Sequence, residues 1–209
     1  DYEAEFIKRG LKGGRKKTFT VPVTFKLGAT IKPSKKEPFC LHVSSYTQKR
    51  KNVLRLISAA EKYDFELVIA GNPGSNDNYR ELKNKVRHNS KIRLLGFQSA
   101  SELKNLYSKA KVFALPSLQE GVGIVALEAL NNGCRIVITK NGGPREYFGD
   151  VADLVNPYSV DEIGQAIVKA LDCADDYSVV NADKFYSPTN TKRLLVETYL
   201  KVANSLLNE

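Results

Sequence analysis

Residues 112–137 (VFALPSLQEGVGIVALEALNNGCRIV) constrain the fold more than any other stretch of the chain. They read as strand, loop, helix, turn and strand. Residues 112–115 are a short apolar run stopped by Pro116 and Ser117, a β-strand signal followed by a break. Glu120-Gly121-Val122-Gly123 is a flexible loop. Residues 124–130 are apolar except for Glu128 and read as a helix. Asn131-Asn132-Gly133 ends it, because Asn and Gly tolerate a left-handed C-cap. Residues 135–138 then supply the next buried strand.

The same alternation extends on both sides. Strands are expected at 39–43, 65–70, 91–95 and 151–155. Helices are expected at 52–63, 79–87, 161–171 and 191–207, with a further helix capped by Ser101. Strands alternating with helices predict an α/β, Rossmann-like fold: a parallel sheet covered by helices on both faces. Ligands of such folds bind at the carboxyl ends of the strands. The loops 44–51, 71–75, 96–98, 116–123 and 139–145 fall there and hold most of the Gly, Pro and polar residues. Residues 1–38 read differently: a helix at 4–11, a basic connection, a strand at 18–25, then a polar linker at 31–38.

The chemistry concentrates in two carboxylates. Glu120 precedes the central helix and Glu128 lies on its second turn. A rise of about 1.5 Å per helical residue separates them by on the order of 10 Å. Between them lies a helix N-terminus, whose N–H groups and dipole favour phosphate. Gly121 and Gly123 let a ligand approach the backbone there, with Val122 and Ile124 supplying neighbouring N–H groups. A diphosphate in that place can carry a hydroxyl-rich ring at each end, and each Glu can accept hydrogen bonds from ring hydroxyls.

PSLQEGVGIVALEAL resembles the E-x7-E signature of the family 4 retaining glycosyltransferases, which have the GT-B fold. LHVSSYTQKRKN, FELVIAGNPG, KIRLLGFQSASELKNLYSKA and NGGPRE are similar to further family segments in the same order. The resemblance implies that residues 39–209 are the nucleotide-sugar donor-binding domain, one half of a GT-B fold, and that residues 1–38 are the tail of an acceptor domain with its linker. It implies a hexosyltransferase-type activity, moving sugar from a nucleotide-sugar to an acceptor hydroxyl with retention. The acceptor, a glycan or a lipid-linked sugar, would be held through the N-terminal domain, so the fragment alone is expected to turn over little or nothing. By the same resemblance Glu120 and Lys51 act on the donor sugar and the departing diphosphate, and Glu128 holds the ribose. Gly71 and Asn72 after the second strand, and Gly96 and Phe97 after the third, face the nucleotide. Ser45 or Tyr46 stands where the family carries a phosphate-binding Arg, and Lys49 or Arg50 are the candidates to replace it. The Gly142-Gly143 pair is expected to shape its loop rather than touch substrate. A glycosyltransferase-like module that binds without transferring is the alternative.

Composition narrows the class further. The chain has 209 residues and 42% hydrophobic residues, enough for a proper core. Its apolar runs are far shorter than a membrane span. With Asp first, no Met and no visible signal peptide, it reads as a piece of a longer, cytoplasmic product. Cys40, Cys134 and Cys173 show neither disulfide nor metal spacing. There is no Asp-x-Asp, His/Cys cluster or P-loop, so neither a metal nor a separate cofactor is implied. His42 falls in a predicted strand and suits a structural role. Net charge is +9, with basic residues clustered between Lys8 and Lys17. That charge allows peripheral contact with an anionic membrane at the inner face. No basic motif interleaved with aromatics points to nucleic acid.

Overall fold

The structure, a computed structural model, describes residues 35–74, 77–174 and 188–207. The helix expected at 4–11, the strand at 18–25 and the basic cluster between Lys8 and Lys17 lie outside the described residues. The chain divides into two compact units, one of residues 29–180 and one of residues 1–28 with 181–209.

In the larger unit the elements run β1 (Glu37–Val43), α1 (Val53–Tyr63), β2 (Glu66–Ala70), α2 (Asp77–Val86), β3 (Ile92–Gly96), α3 (Ala100–Lys109), β4 (Ala110–Leu115), α4 (Ile124–Asn131), β5 (Arg135–Thr139), α5 (Pro144–Phe148), β6 (Ala152–Val155) and α6 (Val160–Asp172). The six strands form one sheet in the order β3-β2-β1-β4-β5-β6, and every pairing is parallel. The predicted α/β, Rossmann-like parallel sheet is therefore the observed one. Chain order reverses between β1 and β4, which pair through Cys40↔Val112 and Leu41↔Phe113. That reversal makes their carboxyl ends the switch point of the sheet.

Both faces of the sheet are covered. Val112 and Ala114 of β4 point into an apolar core shared with Leu56 and Ile57 of α1, Leu82 of α2, and Ile163 and Ile167 of α6. Phe113 alternates with them and points the other way, where its ring meets Tyr107 of α3 at 5.9 Å. α4 packs on α3, β4 and β5. Fully burying side chains of this kind contributes about 1.5–3 kcal/mol each, which explains why the strands read as near-continuous apolar runs. α1 and α6 cross closely at Gly164, where an added Cβ would lie 2.2 Å from the Tyr63 ring.

Several boundaries shift, the helices expected at 79–87 and 191–207 beginning at Asp77 and Pro188, and two shifts have a plain cause. β1 begins at Glu37 rather than residue 39, because Glu37 still pairs with Ala110. α3 is capped by Ser99, not Ser101: the Ser99 hydroxyl accepts from the Glu102 N–H, and the Glu102 carboxylate accepts from the Ser99 N–H. This reciprocal box satisfies two donors that a cap at Ser101 would leave open. In the smaller unit, α7 (Pro188–Leu207) is one helix, with Val196, Tyr199 and Leu200 exposed.

Candidate functional site

Five loops leave the carboxyl ends of the strands, and backbone hydrogen bonds join them laterally. Ser44 N–H donates to Ala70 O at 3.1 Å and Gly71 N–H to Gly96 O at 2.8 Å. Gly71 has φ +123°, and a Cβ there would lie 2.0 Å from Ser44 O, so the loops after β1 and β2 approach as closely as backbones can. Leu118 N–H donates to Arg50 O at 2.9 Å, which joins the loops after β1 and β4 across the switch point.

Glu120 is held by its backbone. Its N–H donates to Asn141 O at 3.2 Å, and its carbonyl accepts from Gly143 N–H at 3.1 Å. A Cβ on Gly142 would lie 2.0 Å from Glu120 O, and one on Gly143 would lie 2.4 Å from Gly121 O. The Gly142-Gly143 pair thus shapes the loop, packed against the backbone that carries Glu120. The Glu120 carboxylate meets Lys51 Nζ at 2.9 Å and the Arg50 guanidinium at 3.7 Å. Lys51 and Glu120 expose only 12% and 11% of their side chains, whereas Arg50 exposes 56%.

Lys51 owes its place to a short 3-10 turn, Lys49–Lys51, which closes on Asn52. Beneath the ion pair lies His42, fully buried in β1. Ala114 O can only accept, so the imidazole Nδ1 donates to it at 2.8 Å, and Nε2 accepts from the Ser44 hydroxyl at 2.7 Å. Burial drives the His42 pKa down to about 4, with the Lys51 charge acting in the same direction. The ring is neutral at physiological pH and structural in its bonding, as its place in a strand suggested.

α4 starts at Gly123, whose φ is +79° and which offers no side-chain cap. The N–H groups at such a start have no intrahelical acceptor. Gly121 and Ile124 are exposed and Val122 is half-buried. Glu128, four residues into α4, accepts a hydrogen bond from the Tyr107 hydroxyl at 3.1 Å. Burial, reinforced by Glu128, raises the Tyr107 pKa. Nothing in the sequence paired Tyr107 with Glu128; they lie 21 positions apart and meet because α3 packs on α4.

The remaining residues are arranged around this rim. Asn72 Oδ1 accepts from Gly74 N–H at 2.8 Å, a local turn that uses one of its polar atoms. Gly96 has φ +69°, and Phe97 beyond it is 78% exposed. Gln98 donates its amide to Leu95 O and Phe97 O. Ser45 is half-buried, with its carbonyl accepting from Gln48 N–H at 3.0 Å. The structure thus joins Lys51, Arg50 and Glu120 directly, whereas Glu128 is engaged with Tyr107. A cleft of about 690 Å³ opens beside the first loop, lined by Thr47, Lys49, Leu54, Arg55, Lys85 and Tyr158 among others, and includes neither Glu. Among the described residues no three His, Cys, Asp or Glu side chains gather as a metal site, and no helix is long and apolar enough to cross a membrane.

The chain is similar to known proteins. A model of the family described as glycosyl transferases group 1 matches residues 28–182. An uncharacterized glycosyltransferase of Methanocaldococcus jannaschii is 32% identical over 155 residues, covering 70% of this chain and 40% of that protein. The chain thus spans less than half the length of this curated relative. Among solved structures, S. aureus TarM in complex with Fondaparinux, alpha-GlcNAc-glycerol and UDP superposes with a TM-score of 0.76 at 18% identity, over 95% of this chain and 41% of that one. Sucrose-phosphate synthase from Thermosynechococcus elongatus superposes with a TM-score of 0.74 at 17% identity, over 100% of this chain and 57% of that one. At these identities the structural likeness speaks to the fold.

Proposed function

The chain belongs to the glycosyl transferases group 1 family, and on that premise we propose that it is the donor-binding part of a retaining glycosyltransferase of family 4. The whole enzyme transfers a sugar from a nucleoside diphosphate sugar to an acceptor hydroxyl bound by a further domain. One observation carries this reading: Lys51 and Glu120 meet at 2.9 Å across the sheet's switch point, in the loops flanking an uncapped helix start. A ligand crevice is expected there, and an ammonium beside open helical N–H groups suits a diphosphate.

In this reading the diphosphate lies against the backbone of Gly121, Val122, Gly123 and Ile124. Lys51 turns from Glu120 to the phosphate oxygens and stabilises the charge that grows as the glycosidic bond to the diphosphate breaks. Glu120, released from that partner, contacts the donor sugar. Glu128 accepts from the ribose hydroxyls, with one of its oxygens held by Tyr107. The exposed Phe97 ring, beside Gly71, Asn72 and Gly96, lies toward the base. Arg50, 3.7 Å from Glu120, takes the place of the family's phosphate Arg, which Ser45 does not supply. The UDP bound in TarM supports a nucleoside diphosphate as the leaving group.

Calorimetry with UDP, GDP and ADP tests this. At least one binds, Lys51→Met weakens it about tenfold or more, as loss of a hydrogen bond to a charged group does, and chelation of divalent cations leaves affinity unchanged. Binding of none of the three would remove the proposal. A second reading, a module that binds without transfer, draws on Ser45 at the family's Arg position. Full transfer activity of the whole protein, lost in Glu120→Gln, separates the two.

A further inference from the structure

Asn52 is the residue that joins three loops at the switch point. It has φ +60° and ψ +29°, the left-handed region, and is one of two non-glycine residues with positive φ among those described. Such a conformation is sparsely populated, though Asn tolerates it better than most residues do. A residue needing only that backbone is satisfied by Gly. Here the side chain is engaged as well. Buried to 8% exposure, its amide donates to Pro116 O at 2.8 Å and to Pro157 O at 2.7 Å. Its Oδ1 accepts from Arg55, whose guanidinium also donates to Pro157 O at 3.1 Å and lies over the Tyr158 ring. The backbone of Asn52 closes the turn that carries Lys51, donating to Lys49 O at 3.0 Å, and its carbonyl starts α1. Pro116 begins the loop that carries Glu120.

We propose that Asn52 is a positioning residue: its carboxamide fixes the loop after β1 against the loop after β4, so that Lys51 and Glu120 meet in one geometry across the switch point. The claim rests on the donor-site reading for its functional consequence, but not for its structural one. Both amide protons are spent on carbonyls of segments 64 and 105 positions away. No backbone requirement at residue 52 explains that use. Asp at this position keeps the size but turns a carboxylate toward two carbonyl oxygens, so the chemistry selects the amide.

Asn52→Gly separates the two roles, because it keeps the left-handed backbone and deletes the carboxamide; Asn52→Ala deletes both. With the full chain, Kd is measured for whichever of UDP, GDP and ADP the unaltered protein binds most tightly, and for the matching nucleoside. The diphosphate affinity of Asn52→Gly falls about tenfold, the size of a misplaced charge-assisted hydrogen bond, while nucleoside affinity stays unchanged. Asn52→Ala falls further. Equal loss for nucleoside and diphosphate, or a lower melting temperature with diphosphate affinity intact, overturns the proposal. A second measurement needs no nucleotide: the coupling between Lys51→Met and Glu120→Gln in urea unfolding is present in the natural background and lost in Asn52→Gly. Coupling that survives there also overturns it. If the unaltered chain binds no nucleotide, the donor-site reading fails and this cycle alone decides the role of Asn52.

Discussion

At its carboxyl end, α4 is closed by the protein itself; at its amino end, it is not. Asn131, Asn132, Gly133 and Cys134 are all buried. Gly133 N–H donates to Leu130 O, Cys134 N–H to Ala129 O, and the Asn132 amide to Glu128 O. Lys36 reaches in from ahead of β1 and gives its ammonium to Asn132 O at 2.6 Å and Tyr107 O at 2.9 Å, serving the last turns of α3 and α4 together. Burial lowers the Lys36 pKa. A cation at two helix C-termini also complements their dipoles. The amino end has Gly123 without a side-chain cap, an exposed Ile124 and a charged pair alongside. Every helix leaves orphan groups at both ends. Where the chain supplies partners, it builds structure; where it holds them back behind rigid loops, it leaves them for something else.

The sharpest way to break this contrast is at the rim of the open end. Gly142→Ala places a Cβ 2.0 Å from Glu120 O at φ +102°. It is expected to cost about 3 kcal/mol, from backbone strain and overpacking together, and to weaken nucleotide binding, read by urea unfolding and calorimetry. Gly149→Ala, with positive φ but nothing within 4 Å, costs about 1–2 kcal/mol, from backbone strain alone. Equal losses would show that the close approach to Glu120 is not what the glycine serves.

His42 tests the floor of the same end. Folded, it takes a proton only near pH 4, against about 6.5 for an ordinary histidine. Between those values the unfolded chain binds the extra proton, so stability falls as pH is lowered from about 6.5 to about 4. The loss is on the order of 3 kcal/mol, and above pH 6.5 the contribution is complete. The urea midpoint followed over that range shows the slope, and His42→Gln flattens it. At the closed end, Lys36→Met leaves two carbonyls short of a donor and costs about 2 kcal/mol. Nucleotide affinity is unchanged, which sets the two ends apart. The smallest effect is expected for Tyr107→Phe: about 1 kcal/mol of stability and about a fivefold loss of nucleoside affinity through a looser Glu128.

The layers were legible because burial on both faces writes strands as unbroken apolar runs. Gly71, Gly96, Gly123 and Gly142 all proved to have positive φ, and turn chemistry of that kind is local. Ser99-x-x-Glu102 was also legible as a capping box, and reading Ser101 instead missed it. What escaped were partners set by packing. Lys36 read as part of a polar linker, yet its ammonium reaches groups 71 and 96 positions away. The Tyr107 hydroxyl meets Glu128 only because α3 lies on α4. Asn52 read as the start of a helix; its left-handed backbone and its two carbonyl partners depend on where β4 ends and α6 begins. Local chemistry marked the candidate site, and tertiary chemistry decides how its side chains are aimed.

The lateral hydrogen bonds among the loops carry one more consequence. The amides of Gly71, Leu118, Glu120 and Gly143 all donate to neighbouring loops, so the sheet in effect continues past its last paired residues as a stitched collar. Solvent deuterium should enter these four positions slowly, unlike ordinary loop amides, which open at little cost. The amides of Ile124 and Val125 should fill quickly in the free protein and slow only when an anion arrives. A collar already ordered before that arrival spares the ligand the entropy of arranging its own seat.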